Sequence, residues 1–143
     1  MTENTNAVIE VAKKARIASY ELAQFNRDVK DKALIAMADA LVVNIDKIVK
    51  ANQIDVENAK KSGTDAAIID RLTLNLERVK EVAQGLLDIA KLPDPIGEVI
   101  RGWVQPNGLE IEQKRVPMGV IGMIYEARPN VTIDIAGMAI KTG

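Results

Sequence analysis

Apolar residues recur every three or four positions along the first two thirds of the chain, and from Gly97 onward that period gives way to alternation. Val8, Val11, Ala12, Ala15, Ala18, Leu22 and Phe25 place an apolar stripe on a first helix, which Asn26-Arg27-Asp28 interrupts. A second stripe runs through Leu34, Met37, Ala38, Leu41 and Ile45. A third continues through Ile48, Val49, Asn52, Val56 and Ala59 to Ser62-Gly63, with Asn44 or Asp46 as its cap. The period alone leaves open whether these last two are one bent helix or two. Residues 66–72 fit a short helix. Another starts near Leu76 with Asn75 as cap, carries Val79, Ala83, Leu86 and Ala90 on one face, and ends at Leu92-Pro93-Asp94-Pro95.

Residues 99–104 and 109–116 read as two strands joined by Gln105-Pro106-Asn107-Gly108, whose proline and glycine suit a tight turn, so an antiparallel hairpin is expected. Leu109, Ile111 and Gln113 share one face of this ribbon and Glu110, Glu112 and Lys114 the other. Val120, Ile121, Met123, Ile124 and Tyr125 then form a short apolar run between Pro117-Met118-Gly119 and Glu126, the pattern of a strand buried on both faces of a parallel sheet. Arg128-Pro129-Asn130 breaks that run. Thr132 and Asp134 favour a helix start, and Ile133, Ala136, Gly137 and Ile140 continue at helical spacing to Lys141 and Gly143. One strand, one turn and one helix of a nucleotide-binding unit are expected here, with the next strand falling beyond Gly143.

Composition narrows the chemistry. The 143 residues suffice for one domain with a core; 48% are apolar, 27% are charged and the net charge is −1, so no general attraction to nucleic acid or to an anionic membrane is expected. No run is long enough to span a membrane, and Met1-Thr2-Glu3-Asn4-Thr5-Asn6 lacks the basic and apolar regions of a signal peptide, which makes a cytoplasmic location the expectation. Zero cysteines and zero histidines exclude disulfides within the chain. They also remove the commonest transition-metal ligands and the usual Ser-His and Cys-His nucleophile pairs, so no metal site is expected.

Several local patterns have plain structural readings. Gly119-Val120-Ile121-Gly122 falls short of a dinucleotide fingerprint, Lys60-Lys61-Ser62-Gly63 lacks the glycines of a phosphate loop, and Lys141-Thr142-Gly143 has no Ser-x-x-Lys upstream. The latter two read as helix ends. Glu126 reads as a solvated or paired strand-end charge, the acidic residues Asp46, Asp55, Glu57, Glu77 and Glu81 as solvated helix faces, and Trp103 as a packing anchor or an interface contact. Arg128-Pro129-Asn130 is the strongest local candidate for chemistry, because open α/β sheets place their ligands beyond the carboxyl ends of their strands. Its structural alternative is an ion pair for Arg128 and a helix cap for Asn130.

Val116-Pro117-Met118-Gly119-Val120-Ile121-Gly122 followed by Tyr125-Glu126-Ala127-Arg128-Pro129-Asn130-Val131-Thr132 resembles the glutamate-5-semialdehyde dehydrogenases, or gamma-glutamyl phosphate reductases, a branch of the aldehyde dehydrogenase superfamily. Asp70-Arg71-Leu72-Thr73-Leu74, Asp94-Pro95-Ile96-Gly97 and Gly108-Leu109-Glu110 extend the resemblance over essentially the whole chain. It implies an aldehyde dehydrogenase-like α/β fold, of which this would be the amino-terminal part. Residues 1–96 would form a helical part of the cofactor-binding domain and residues 97–116 a hairpin used in oligomerisation. Residues 117–143 would begin a Rossmann-like NADP-binding core, with the catalytic domain absent.

The implied reaction is NADPH-dependent reduction of L-glutamate 5-phosphate to L-glutamate 5-semialdehyde and phosphate, in proline biosynthesis. A cysteine thiolate displaces the phosphate, and the resulting thioester accepts hydride. That cysteine is not in this chain, so the 143 residues alone are expected to be inactive. By resemblance, Ile124, Tyr125, Glu126 and Ala127 lie along the cofactor, mostly through backbone groups, while the side chains of Ile124 and Tyr125 read as core. The superfamily places an oxyanion-stabilising asparagine in the following turn; here Arg128 takes its position and Asn130 lies two residues later, so either could fill the role. Arg128 would suit a phosphate, with Asn130 donating to the carbonyl oxygen. Homo-oligomerisation and coupling to glutamate 5-kinase are also implied. The alternatives are another aldehyde or acyl dehydrogenase of the superfamily and a non-enzymatic helical oligomerisation module.

Overall fold

A computed structural model describes residues 3–143, with side chains from residue 7 onward. Met1 and Thr2, and the side chains up to Asn6, on which the reading of the amino terminus rests, lie outside the described residues. Among the described residues six helices and one hairpin follow in the order α1 (Glu3–Leu22), α2 (Arg27–Val43), α3 (Ile45–Lys61), α4 (Ala66–Leu72), α5 (Leu76–Lys91), β1 (Val99–Val104), β2 (Glu110–Lys114) and α6 (Pro129–Thr142). They fall into two compact units. One contains the chain up to Arg27, Pro93–Gly122 and Thr142–Gly143; the other contains Asp28–Leu92 and Met123–Lys141.

The core of the second unit is built by α2, α5 and α6. Leu34 and Ala38 of α2 meet Ala83, Leu86 and Ala90 of α5, and Met37, Leu41, Leu87, Ile89, Ile133 and Ile140 pack around them. All four residues of the α5 stripe are buried, and Asn75 caps that helix by accepting a 2.8 Å bond from the Arg78 amide. Gly137 of α6 faces this core: a Cβ there would lie 2.6 Å from Leu86 Cδ2, so any larger residue would require the Leu86 side chain to shift. Lys141 is 3% exposed. Its Nζ donates to Asp31 Oδ1 at 2.5 Å and to the Ala90 carbonyl at 2.9 Å, which joins the ends of α5 and α6 to the start of α2.

The stretch left open between the second and third stripes resolves into two helices that break at Asn44. Neither Asn44 nor Asp46 acts as the expected side-chain cap: the Asn44 amide turns back to the Ala40 carbonyl at 2.8 Å, and no side-chain bond caps α3. At its other end α3 stops at Ser62-Gly63 as its residues suggest, with Gly63 at φ 73.

In the first unit the hairpin forms with Trp103 opposite Ile111 and Val104 opposite Glu110, and a bulge falls between Val99 and Arg101. Its turn uses Pro106 and Asn107 in the middle and Gly108 at φ 85; Gly108 N donates to Gln105 O and Gln105 N to Leu109 O, both at 2.8 Å. β2 is shorter than the expected 109–116. Trp103 is no buried anchor, since it stays exposed with the Arg101 guanidinium 5.2 Å above its ring. The α1 stripe also departs from expectation: Val8 and Val11 are 69% and 67% exposed, and only Ala15 and Leu22 of that stripe are half-buried.

The largest departure concerns residues 120–125, which form no strand. Val120, Ile121, Met123, Ile124 and Tyr125 are all exposed, Ile124 at 99%. A strand closes its hydrogen bonds only against a neighbour, and among the described residues none pairs with this segment, so it is extended but bare. Its burial on two faces, and the reading of Ile124 and Tyr125 as core, are thereby corrected.

Candidate active site

The site grows from the link between α4 and α5. Asp65 caps α4 by accepting from Ala67 N at 2.8 Å, and after Leu72 the chain turns extended at Thr73. Two side chains hold this turn. Asn52, 6% exposed on α3, donates to Leu72 O at 2.8 Å and accepts from Leu74 N at 2.6 Å, so a buried amide replaces the hydrogen bonds that the chain loses on leaving the helix. Arg78 of α5 donates to Asp70 O at 2.5 Å, to Thr73 O at 2.8 Å and to Asp70 Oδ1 at 2.9 Å. Thr73 Oγ1 returns to Ile69 O at 2.7 Å. The segment from Asp70 to Leu74 is thus pinned on both sides, and Arg71 projects from it.

Opposite this link stands the start of α6. Pro129 opens the helix, where its missing N–H costs nothing. Ala127 turns the chain at φ 49, a left-handed conformation rare for alanine. Asn130 therefore lies inside the first helical turn and is not the cap considered for it; its Nδ2 donates to Asp134 Oδ2 at 3.1 Å. The Arg128 side chain forms no ion pair or hydrogen bond among the described residues, its carbonyl alone accepting from Val131 N at 3.1 Å, which removes the structural reading proposed for it.

These pieces enclose a cleft of about 410 Å³ within the second unit, lined by Asp70, Arg71, Thr73, Arg78, Glu81 and, from the α6 side, Arg128, Asn130 and Asp134. Arg128 and Asn130 are brought together as the sequence suggests. Ile124, Tyr125, Glu126 and Ala127 do not line this cleft. Tyr125 instead shares a 2.5 Å hydroxyl contact with Thr132 Oγ1. Sequence reasoning missed Arg71, Arg78 and Asn52 as parts of the site. Arginines on a helix resemble any solvated face, and only their place in the Asp70–Leu74 block hinted at more.

Searched against protein-family models, the chain has no match. Individual proteins do match. It is 49% identical over 136 residues to the gamma-glutamyl phosphate reductase of Thermodesulfovibrio yellowstonii, an alignment covering 95% of this chain and 32% of the relative. The enzyme of the same name from Halothermothrix orenii is 54% identical over the same shares. The crystal structure of gamma-glutamyl phosphate reductase from Thermotoga maritima matches with a TM-score of 0.91 at 42% identity, over 94% of this chain and 32% of that one. The chain belongs to the gamma-glutamyl phosphate reductase family. It spans about a third of the length of these relatives. The reductase fold is α/β, here helical with an antiparallel hairpin. No helix among the described residues is long and apolar enough to cross a membrane.

The exposed segment before the cleft also bears on a cofactor. Residues 117–126 make no backbone hydrogen bonds among the described residues, so their N–H and C=O groups are open to an outside partner. That arrangement fits a dinucleotide held through backbone groups of Ile124, Tyr125, Glu126 and Ala127.

Proposed function

We propose that these residues serve an NADP-dependent glutamate-5-semialdehyde dehydrogenase, which reduces L-glutamate 5-phosphate to L-glutamate 5-semialdehyde and phosphate in cytoplasmic proline biosynthesis. The observation that carries this reading is the unpaired Arg128 beside Asn130 at the mouth of α6, in the cleft that the Asp70–Leu74 link completes. Arg128 binds the phosphate oxygens of the acyl phosphate through its planar fork of donors. Asn130 has two amide protons; Asp134 takes one and so orients the group, leaving the other for the carbonyl oxygen as negative charge develops on it. When bound along residues 124–127, NADPH supplies the hydride. The nucleophilic thiol comes from residues outside these 143, which contain no cysteine, and the isolated segment is inactive in this reading.

The domain assignment belongs to the same proposal: residues 1–96 and 117–143 serve cofactor binding, and residues 97–116 serve oligomerisation. All of the hairpin's strand residues but the half-buried Ile111 are exposed, as a surface awaiting a second subunit would be, and a paired enzyme such as glutamate 5-kinase is a further partner. The test is NADPH oxidation by the complete protein with L-glutamate 5-phosphate. Arg128→Ala is expected to lower kcat/KM about 10- to 100-fold, with Arg128→Lys recovering part of it. Turnover by the 143-residue segment alone, or an unaffected Arg128→Ala enzyme, refutes the assignment.

A further inference from the structure

The charges in the cleft sort into those already satisfied and those left over. Arg78 is spent on Asp70 and on two carbonyls, and Asp134 receives Asn130. Arg71, Glu81 and Arg128 line the same cleft, are exposed, and have side chains with no ion pair or hydrogen bond among the described residues. Two cations and one anion without partners are the complement of a ligand with two anionic groups and one cationic group. An amino acid whose side chain ends in a second anion is such a ligand. The cleft, at about 410 Å³, suits a molecule of that size.

We infer that Arg71 and Glu81 form an amino-acid head-group site, in which Arg71 binds the α-carboxylate and Glu81 the α-ammonium of the substrate. This rests on the reductase reading, which assigns Arg128 to the phosphate and so leaves Arg71 for the carboxylate. The local structure supports a binding role for Arg71 in particular. Arg78 holds the carbonyls of Asp70 and Thr73, on either side of Arg71, and Asn52 holds the following link, so the guanidinium projects from a backbone that needs little further ordering. Glu81 lies one helical turn after Arg78 on α5, which places its carboxylate on the side of the helix that faces the link.

The complete protein tests this in the reverse direction, by phosphate-dependent oxidation of L-glutamate 5-semialdehyde with NADP, with KM measured separately for aldehyde and for phosphate. Arg71→Ala and Glu81→Gln are each expected to raise the aldehyde KM about 10- to 100-fold and to change the phosphate KM by less than about twofold. Arg71→Lys restores part of the loss, which separates lost binding from a misfolded variant. The analogue 5-oxopentanoate keeps the carboxylate and lacks the ammonium, so Arg71→Ala raises its KM while Glu81→Gln leaves it unchanged. If the unmodified enzyme oxidises the semialdehyde but neither substitution moves the aldehyde KM, or Glu81→Gln weakens both aldehydes equally, the head-group site is wrong and the reductase reading stands. If the unmodified enzyme shows no such oxidation, both fall.

Discussion

Helix α5 and residues 120–125 are both apolar segments whose buried faces can be read from the sequence, yet one is buried as expected and the other is bare. Val79, Ala83, Leu86 and Ala90 are all buried, whereas Ile124 is 99% exposed and its neighbours are exposed too. A helix closes its hydrogen bonds within itself, so its apolar stripe needs only a surface to pack on, and α2 and α6 provide one. A strand needs partners for its backbone before its side chains have a face to bury. The period of a pattern therefore forecasts the apolar face of a helix from local information and its burial where a packing surface is at hand, as for α5 and not for α1, but it forecasts strand burial only where the neighbouring strands are at hand.

Substitutions sharpen this contrast. Leu86→Ala, at a side chain 1% exposed in the centre of the core, is expected to cost about 2–5 kcal/mol, read as a fall in the denaturant midpoint at unchanged slope. Asn52→Ala should cost about 2 kcal/mol, because Leu72 O and Leu74 N both lose their partner in a part-buried link. It should also raise the substrate KM of the complete enzyme by releasing Arg71. At the small end, Ile124→Ser should change the stability of this chain by less than about 0.5 kcal/mol, and the amides of residues 117–126 should exchange with solvent far faster than those of α5. A large loss of stability at Ile124, or protected amides around it, breaks the comparison by showing that the segment is packed.

The helical register was legible almost throughout. The short α4, the Asn75 cap, the Ser62-Gly63 stop and the hairpin turn follow from residues within a few positions of each feature. Where a polar side chain had two local choices the reading failed: Asn44 bonds back to Ala40 and does not cap α3. Within the site, Arg128 and Asn130 were legible because they follow an apolar run at a turn. Arg78 and Asn52 were not, since their bonds reach across 5 to 22 residues of sequence that no period reports, and Arg71 was not, since only the fold brings it to the cleft. Lys141 shows the same limit. It reads as an ordinary basic last turn and proves to be a buried cross-link to Asp31, 110 residues away.

By itself, the sequence determined the helices, their apolar faces, the hairpin with its turn, and the family resemblance carried by the Val116 to Thr132 block, because each depends on near neighbours along the chain. Only the tertiary structure decided which charges are satisfied and which remain free in the cleft, which polar side chains cross between elements, and that residues 120–125 stay unburied. Those outcomes depend on which groups distant in sequence come within bonding distance, and no local pattern encodes that distance.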